Sequence, residues 1–192
     1  LTGIDVVADL RRMDVAAGGQ GAPLVPAFHQ QVFADKQDNL IVLNLGGIAN
    51  ISVLRTGKPV LGYDTGPANT LLNHWCRLHK GQNYDKNGNW AAQGRLNAEL
   101  LTSLLSDDYF SKDYPKSTGK ELFNPDWLQY QLTQYENNHG QIIPVDVQTT
   151  LSHLTAKSVA EQVRLFPEVK HLLVCGGGVH NRFLLTCLQG YL

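Results

Sequence analysis

The chain has 192 residues, enough for one large domain or one and a half small ones. Hydrophobic residues make up 43% and charged residues 17%, a balance that excludes a disordered chain. A formal net charge of -1 without any basic run gives no pointer to nucleic acid or an anionic membrane, and neither is expected as a partner. No apolar run approaches the ~20 residues of a membrane span, and the N-terminus does not read as a signal peptide. Cys76, Cys175 and Cys187 are odd in number and lack a C-x-x-C pairing, so reduced thiols in a cytosolic compartment are expected. The first residue is Leu1, the only methionine is Met13, and HNRFLLTCLQGYL stops inside a helical pattern. A piece of a longer protein is therefore expected.

In chain order, Leu1 to Asp9 carries the apolar run Ile4-Asp5-Val6-Val7 and is predicted to be a short strand. Gly18, Gly19, Gly21, Pro23 and Pro26 argue against a regular element through the next stretch, which is predicted to be a long loop packed through Leu24, Val25 and Phe28. From Pro26 a short helix follows, with Phe28 and Val32 on one side, and then a polar connection over Ala34 to Asn39. Leu40 to Asn44, Ala49 to Leu54 and Pro59 to Tyr63 are predicted as three strands of a meander, with Gly46-Gly47 at the first turn. Pro67 suits the first turn of a helix reaching about His79, with Leu71, Leu72, Trp75 and Leu78 as its stripe. Further helices are predicted over Trp90 to Leu105, despite Gly94, and from the Asn124-Pro125-Asp126 start to about Glu136. Another runs from an Asp146 cap to about Arg164. Leu172 to Cys175 reads as a buried strand, Gly176 to Gly178 as a turn, and Asn181 as the start of a last helix. This order is that of an α/β fold.

Four stretches carry chemistry. Gly46-Gly47 in LNLGGIANI either presents backbone amides to an anion or is a plain hairpin turn. Asp64 in DTGPAN either acts as a general base or only accepts hydrogen bonds from nearby amides. Gly176-Gly177-Gly178 either permits tight strand–helix packing or clears space for a flat ligand such as a nucleobase. It lacks the G-x-G-x-x-G pattern of a dinucleotide fold, and PKSTGK is not a Walker A motif. Between Asp9 and His29, Asp9, Arg11, Arg12, Asp14, Gln20 and His29 gather in a glycine-rich loop, where the arginines either hold an anion or are simply solvated. The histidines and cysteines show no metal-ligand spacing, so no protein-ligated metal is expected.

Taken in order, ADLRRMDVAAGGQGAPLVPAFH, LNLGGIANIS, GYDTGPAN, PKSTGKELFN and VCGGGVHN closely resemble bacterial anhydro-N-acetylmuramic acid kinase over essentially the whole chain. The resemblance implies an actin-like, sugar-kinase (ribonuclease H-like) ATPase fold, incomplete at both ends. Residues 1–38 would end the N-terminal domain and carry the sugar-pocket loop, and residues 39–192 would form the C-terminal domain. It also implies hydrolysis of the 1,6-anhydro ring and phosphorylation of the freed oxygen with ATP and Mg²⁺, giving N-acetylmuramic acid 6-phosphate for peptidoglycan recycling in the cytoplasm. By the same resemblance Asp64 is the base that activates water. Gly46, Gly47 and Asn50 belong to a phosphate-facing hairpin, with Thr65 and Gly66 beside it, and Gly176, Gly177, Gly178 and Asn181 to the adenosine side. Asp9, Arg11, Asp14, Gln20 and Pro23 would face the sugar. The partners implied are the amino sugar and ATP, with no nucleic acid or membrane, and a homodimer is allowed.

The family's M-S-G-T-S-x-D-G-x-D loop and its C-terminal G-D-x-x-E-A segment have no counterpart in this sequence. The 192 residues alone are therefore expected to bind nucleotide weakly and to lack kinase activity. A non-catalytic actin-like module is the competing reading. An actin-fold phosphatase would need acidic residues around the hairpin that LNLGGIAN does not supply.

Overall fold

Apolar residues in LIVLNLGGIANISVL pair across a glycine turn, and this local hairpin nucleates the sheet around which the rest is packed. The computed structural model describes residues 2–19, 21, 23–33 and 39–192. Strands β1 (Leu40–Leu45), β2 (Ile48–Leu54) and β3 (Leu61–Pro67) form an antiparallel meander. Strand β4 (His171–Cys175) pairs parallel with β1, giving the order β3-β2-β1-β4.

Helices α1 (Leu10–Ala16) and α2 (Pro26–Val32) precede the sheet. Helices α3 (Asn69–Lys80), α4 (Ala98–Leu105), α5 (Asp108–Ser111), α6 (Pro125–His139) and α7 (Pro144–Val163) lie between β3 and β4, and α8 (Arg182–Tyr191) follows β4. Ile41, Leu43 and Leu45 of β1 and Ile51 and Val53 of β2 share one core with Leu71 of α3, Leu100 and Leu104 of α4, and Leu151, Leu154 and Val159 of α7. Each such leucine contributes roughly 1.5–3 kcal/mol by leaving water. Helix α7 also buries Thr149, Thr150, Ser152 and Thr155, whose hydroxyls donate to carbonyls one turn back, so these four hydroxyls cost little inside the core.

Several expectations need correction. Residues 2–9 form no strand: Ile4, Val6 and Val7 are exposed and meet no partner strand among the described residues. The glycine-rich stretch contains α1, because its glycines begin only after Ala16. In α2 the exposed side carries Phe28 and Val32, whereas Pro26 and His29 are buried, His29 Nδ1 lying 2.9 Å from Ser52 Oγ of β2. Leu24 is likewise exposed, so it does not pack the loop. The connection expected over Ala34 to Asn39 lies, but for Asn39, outside the described residues.

Strand β3 starts later than the apolar pattern suggests and runs through Asp64 to Pro67, so Pro67 ends a strand instead of opening a helix. Leu78 and Leu96 are solvent-facing. The helix expected from Trp90 starts only at Ala98: Gly94 is extended, and a Cβ there would come within 2.5 Å of the Val145 carbonyl oxygen. Asp146 lies inside the first turn of α7, where its Oδ1 accepts from the Arg95 amide, 2.7 Å away. Strand β4 is partly exposed because it forms a sheet edge.

Candidate functional site

The chemistry gathers where β3 is irregular. Ala49 pairs with Gly66 and Asn50 with Asp64, which leaves Thr65 as an extra, bulged residue. The Thr65 hydroxyl donates to the Ala49 carbonyl at 3.2 Å. A bulge of this kind re-aims the side chains beside it, and here it turns Asp64 toward the segment after α5. Asp64 is 4% exposed. Its amide donates to Lys116 O at 3.0 Å and its carbonyl accepts from the Tyr109 hydroxyl at 2.7 Å. On the carboxylate, Oδ2 accepts from Ser117 Oγ at 3.0 Å and from the Thr118 amide at 2.9 Å. The described residues give Oδ1 no hydrogen bond. One oxygen is thus anchored while the other is left for a ligand.

Burial pushes the Asp64 carboxyl above the usual aspartate range; the Thr118 amide, the Ser117 hydroxyl and the Arg11 charge pull against it, and Glu121 adds to the rise. A carboxylate with a raised pKa is a stronger base, which suits proton abstraction from water. The anchoring segment is itself held by Lys116. Its buried ammonium donates to the carbonyls of Tyr109 at 3.2 Å and Phe110 at 3.1 Å and lies 5.0 Å from the Tyr109 ring centroid. That burial holds the Lys116 pKa below the ordinary lysine value.

Asp64 opens into a cleft of about 640 Å³ that includes Arg11, Pro23, Asn50, Ser117, Lys120 and Glu121 in its wall. A second cleft, of about 520 Å³, runs over Gly46, Gly47, Thr70, His74, Arg77 and Lys120. A third, of about 390 Å³, lies between Leu72, Tyr84, His180 and Asn181. The first two share Lys120; the second and third share Asn69, Asn73 and Gly177. The three clefts are therefore neighbours: one holding the Asp64 carboxylate, one over the glycine turn with Arg77 and Lys120 in its wall, and one with Leu72 and Tyr84 in its wall. Each volume is of the size that takes small molecules. The glycine turn is locked in place because Gly47 O accepts the amides of Ala68 and Thr70, and Gly46 O that of Asn69, which satisfies the first amides of α3.

The residues singled out in the sequence divide accordingly. Asp64, Arg11 and Pro23 come together in the first cleft, and Asn50, grouped with the phosphate hairpin, lines that cleft as well. Gly46 and Gly47 line the second. A Cβ on Gly47 would come within 2.7 Å of Thr70 Oγ1, so a larger residue there would require the Thr70 side chain to move. Gly177 and Asn181 line the third. The glycine triplet splits between its two readings. Cβ atoms on Gly176 and Gly178 would strike Asn44 and Leu45 within 2.5 Å, whereas Gly177 has open space.

Asp9 and Asp14 line none of these clefts. Asp9 pairs with Arg12 at 3.0 Å on the surface, and Asp14 Oδ2 accepts from the Gly21 amide at 2.7 Å, tying helix α1, which carries Arg11, to the loop that leads to Pro23. Thr65 and Gly66 are buried and turned inward, a Cβ on Gly66 meeting Phe110 and Ser158. Gln20 lies outside the described residues. Sequence reasoning missed Tyr109, Lys116, Ser117, Thr118, Lys120 and Glu121. The available signal was the polar run KSTGKE between Pro115 and Phe123, which is too dense in hydroxyls and charges for an idle loop. No group of three or more His, Cys, Asp or Glu side chains that could hold a metal occurs among the described residues. No helix among them is long and apolar enough to cross a membrane.

A mixed sheet carrying helices, with a glycine turn and an acidic strand end lining neighbouring clefts, defines an actin-like, sugar-kinase type of ATPase fold. Among solved structures, the activator of the 2-hydroxyisocaproyl-CoA dehydratase from Clostridium difficile with bound ADPNP is similar in fold, with a TM-score of 0.50 at 10% identity, covering 82% of this chain and 52% of that one. The model of the anhydro-N-acetylmuramic acid kinase family matches residues 1–192, and the chain belongs to that family. Relatives carrying that family's name include proteins of Cupriavidus metallidurans, 51% identical over all of this chain, and Aliivibrio fischeri, 52% identical over all of it. One from Vibrio vulnificus is 54% identical over 98% of the chain. The chain spans about half the length of these relatives, 51%, 51% and 50% respectively.

Proposed function

We propose that the protein containing this chain is an ATP-dependent kinase that opens the 1,6-anhydro ring of anhydro-N-acetylmuramic acid and phosphorylates O6, giving N-acetylmuramic acid 6-phosphate. The observation that carries this reading is the buried Asp64 carboxylate, anchored through one oxygen beside a cleft that joins the glycine-hairpin cleft at Lys120. A kinase commonly sets a carboxylate to take the proton of its acceptor hydroxyl; O6 of an anhydro sugar carries no proton, so here the proton taken would come from water. A carboxylate of raised pKa at the acceptor end supports an additional hydrolytic step. In that step Asp64 takes a proton from water as the water oxygen bonds to the anomeric carbon. The bond from that carbon to O6 breaks, its electron pair staying on O6. O6 then bonds to the γ-phosphorus of ATP, and the bond from that phosphorus to the ADP oxygen breaks, its pair leaving with ADP. Ser117 and Thr118 keep the carboxylate oriented throughout, and Arg11 lines the same cleft as a counter-charge.

The hairpin cleft, with Gly46, Gly47, His74 and Arg77, suits the nucleotide phosphates. The cleft of Leu72, Tyr84, His180 and Asn181 suits the nucleoside. Among the described residues the hairpin cleft is lined by no carboxylate, so a magnesium ion there would be held by the nucleotide phosphates and water. When bound it would supply charge neutralisation. The reaction belongs to recycling of cell-wall sugar in the cytoplasm. The test is the intact gene product with anhydro-N-acetylmuramic acid and ATP, following the 6-phosphate by mass spectrometry. Formation of that product in parent enzyme and its loss by at least about 1,000-fold in Asp64→Asn, with sugar affinity kept, is the expected result. An active Asn variant would move the base elsewhere, and no product from the parent would refute the reading.

A further inference from the structure

We propose that Lys120 is a catalytic residue of this site, its ammonium bridging the two clefts and holding the phosphoryl group as it passes to the sugar oxygen. This deepens the function proposed above and rests on it. Lys120 lines both the Asp64 cleft and the hairpin cleft. The arginines each line one: Arg11 the first, Arg77 the second. Its stem runs beside the hairpin: the space a Cβ on Gly47 would take lies 3.7 Å from Lys120 Cε.

The charge is also uncommitted. Among the described residues no carboxylate lies within 4.0 Å of the Lys120 ammonium, although Glu121 is next in sequence and lines the Asp64 cleft. Lys120 is exposed, yet its stem runs beside the Gly47 turn and the residue lines both clefts.

Phosphoryl transfer asks for a cation at that point. Negative charge spreads over the three equatorial oxygens of the group in flight, and most of the catalysis is positioning and electrostatic stabilisation. A lysine is a compact charge on a flexible stem, able to follow the group over a short path without dictating a bidentate geometry. The glycines opposite let backbone approach from the other side. Asp64 and Glu121 make the acceptor end negative, and Lys120 offsets that field for an incoming anion.

The test uses the intact gene product and its Lys120→Met and Lys120→Arg variants. Three quantities are measured: the rate of 6-phosphate formation, the KM for the anhydro sugar, and calorimetric affinities for ADP and for a non-hydrolysable ATP analogue. Lys120→Met is expected to lower kcat about 100-fold, with the sugar KM within about threefold, and to lose the preference for the ATP analogue over ADP. Lys120→Arg recovers part of both. A kcat within about threefold of the parent, a sugar KM that rises at unchanged kcat, or an unchanged analogue preference overturns the assignment. A parent enzyme that makes no 6-phosphate overturns the underlying reading and the assignment with it.

Discussion

Replacing Lys116 by methionine tests how Asp64 is held. The side chain is 4% exposed, and its ammonium donates at 3.2 and 3.1 Å to two carbonyls of the α5 turn. Methionine keeps the length and the apolar stem and removes both bonds. Each hydrogen bond from a charged donor contributes about 1.5–3 kcal/mol, and the relief of burying an ammonium offsets part of the loss. A net destabilisation of about 2–3 kcal/mol follows, or roughly 4–12 °C in melting temperature for a chain of this size. Because Lys116 also supplies the carbonyl that receives the Asp64 amide, and precedes Ser117 and Thr118, a loosened segment frees the carboxylate. The kcat should fall about tenfold, while the KM for ATP holds, since the nucleoside cleft touches none of these residues. Thermal unfolding by circular dichroism and steady-state kinetics on the intact gene product measure both. A melting temperature within about 1 °C of the parent together with an unchanged kcat would refute the reasoning.

Burial raises the Asp64 pKa, so the rate should fall as pH drops through that raised value, a limb that disappears in the residual activity of Asp64→Asn. The folded protein keeps the Asp64 proton at pH values where the unfolded chain has lost it. Its stability relative to Asp64→Asn therefore declines as pH rises from the ordinary aspartate value through the raised one. At neutral pH the Asn variant should be at least as stable as the parent in a denaturant titration, and a clear loss would show the charge to be stabilising. In the glycine triplet, Gly178→Ala meets Leu45 Cβ at 2.5 Å and should cost about 1–3 kcal/mol. Gly177→Ala meets nothing and should leave stability within about 0.5 kcal/mol while raising the KM for ATP. Equal effects of the two on unfolding would contradict the packing described.

Much of the fold was legible because its signals are local. The β1–β2 hairpin follows from a short apolar alternation across Gly46-Gly47, and α6 starts where Asn124-Pro125-Asp126 says it should, the Asn124 side chain accepting the Trp127 amide at 2.8 Å. Where a local signal met a tertiary demand, the demand won. Trp90 to Gln93 has helical composition, yet Gly94 is pulled extended against the Val145 carbonyl and Thr149. Phe28 and Val32 share a helical face as their spacing suggests, but the polar His29 is the side chain turned inward, toward Ser52.

By itself the sequence determined the glycine turns, the acid in DTGPAN and the three-strand meander, since each depends on neighbours a few residues apart; the pairing of β4 with β1 joins Leu40 to His171 and is a tertiary outcome. Tertiary structure alone decided how Asp64 is held. Its hydrogen bonds to Ser117 and Thr118 cross 53 and 54 positions of chain, and the bulge at Thr65 that aims it depends on how β2 meets β3. The same holds for Lys120, whose meaning lies in standing between two clefts. No spacing along the chain encodes a contact closed by packing, because the side chains that meet there are brought together only when the core around β1 and α7 has formed.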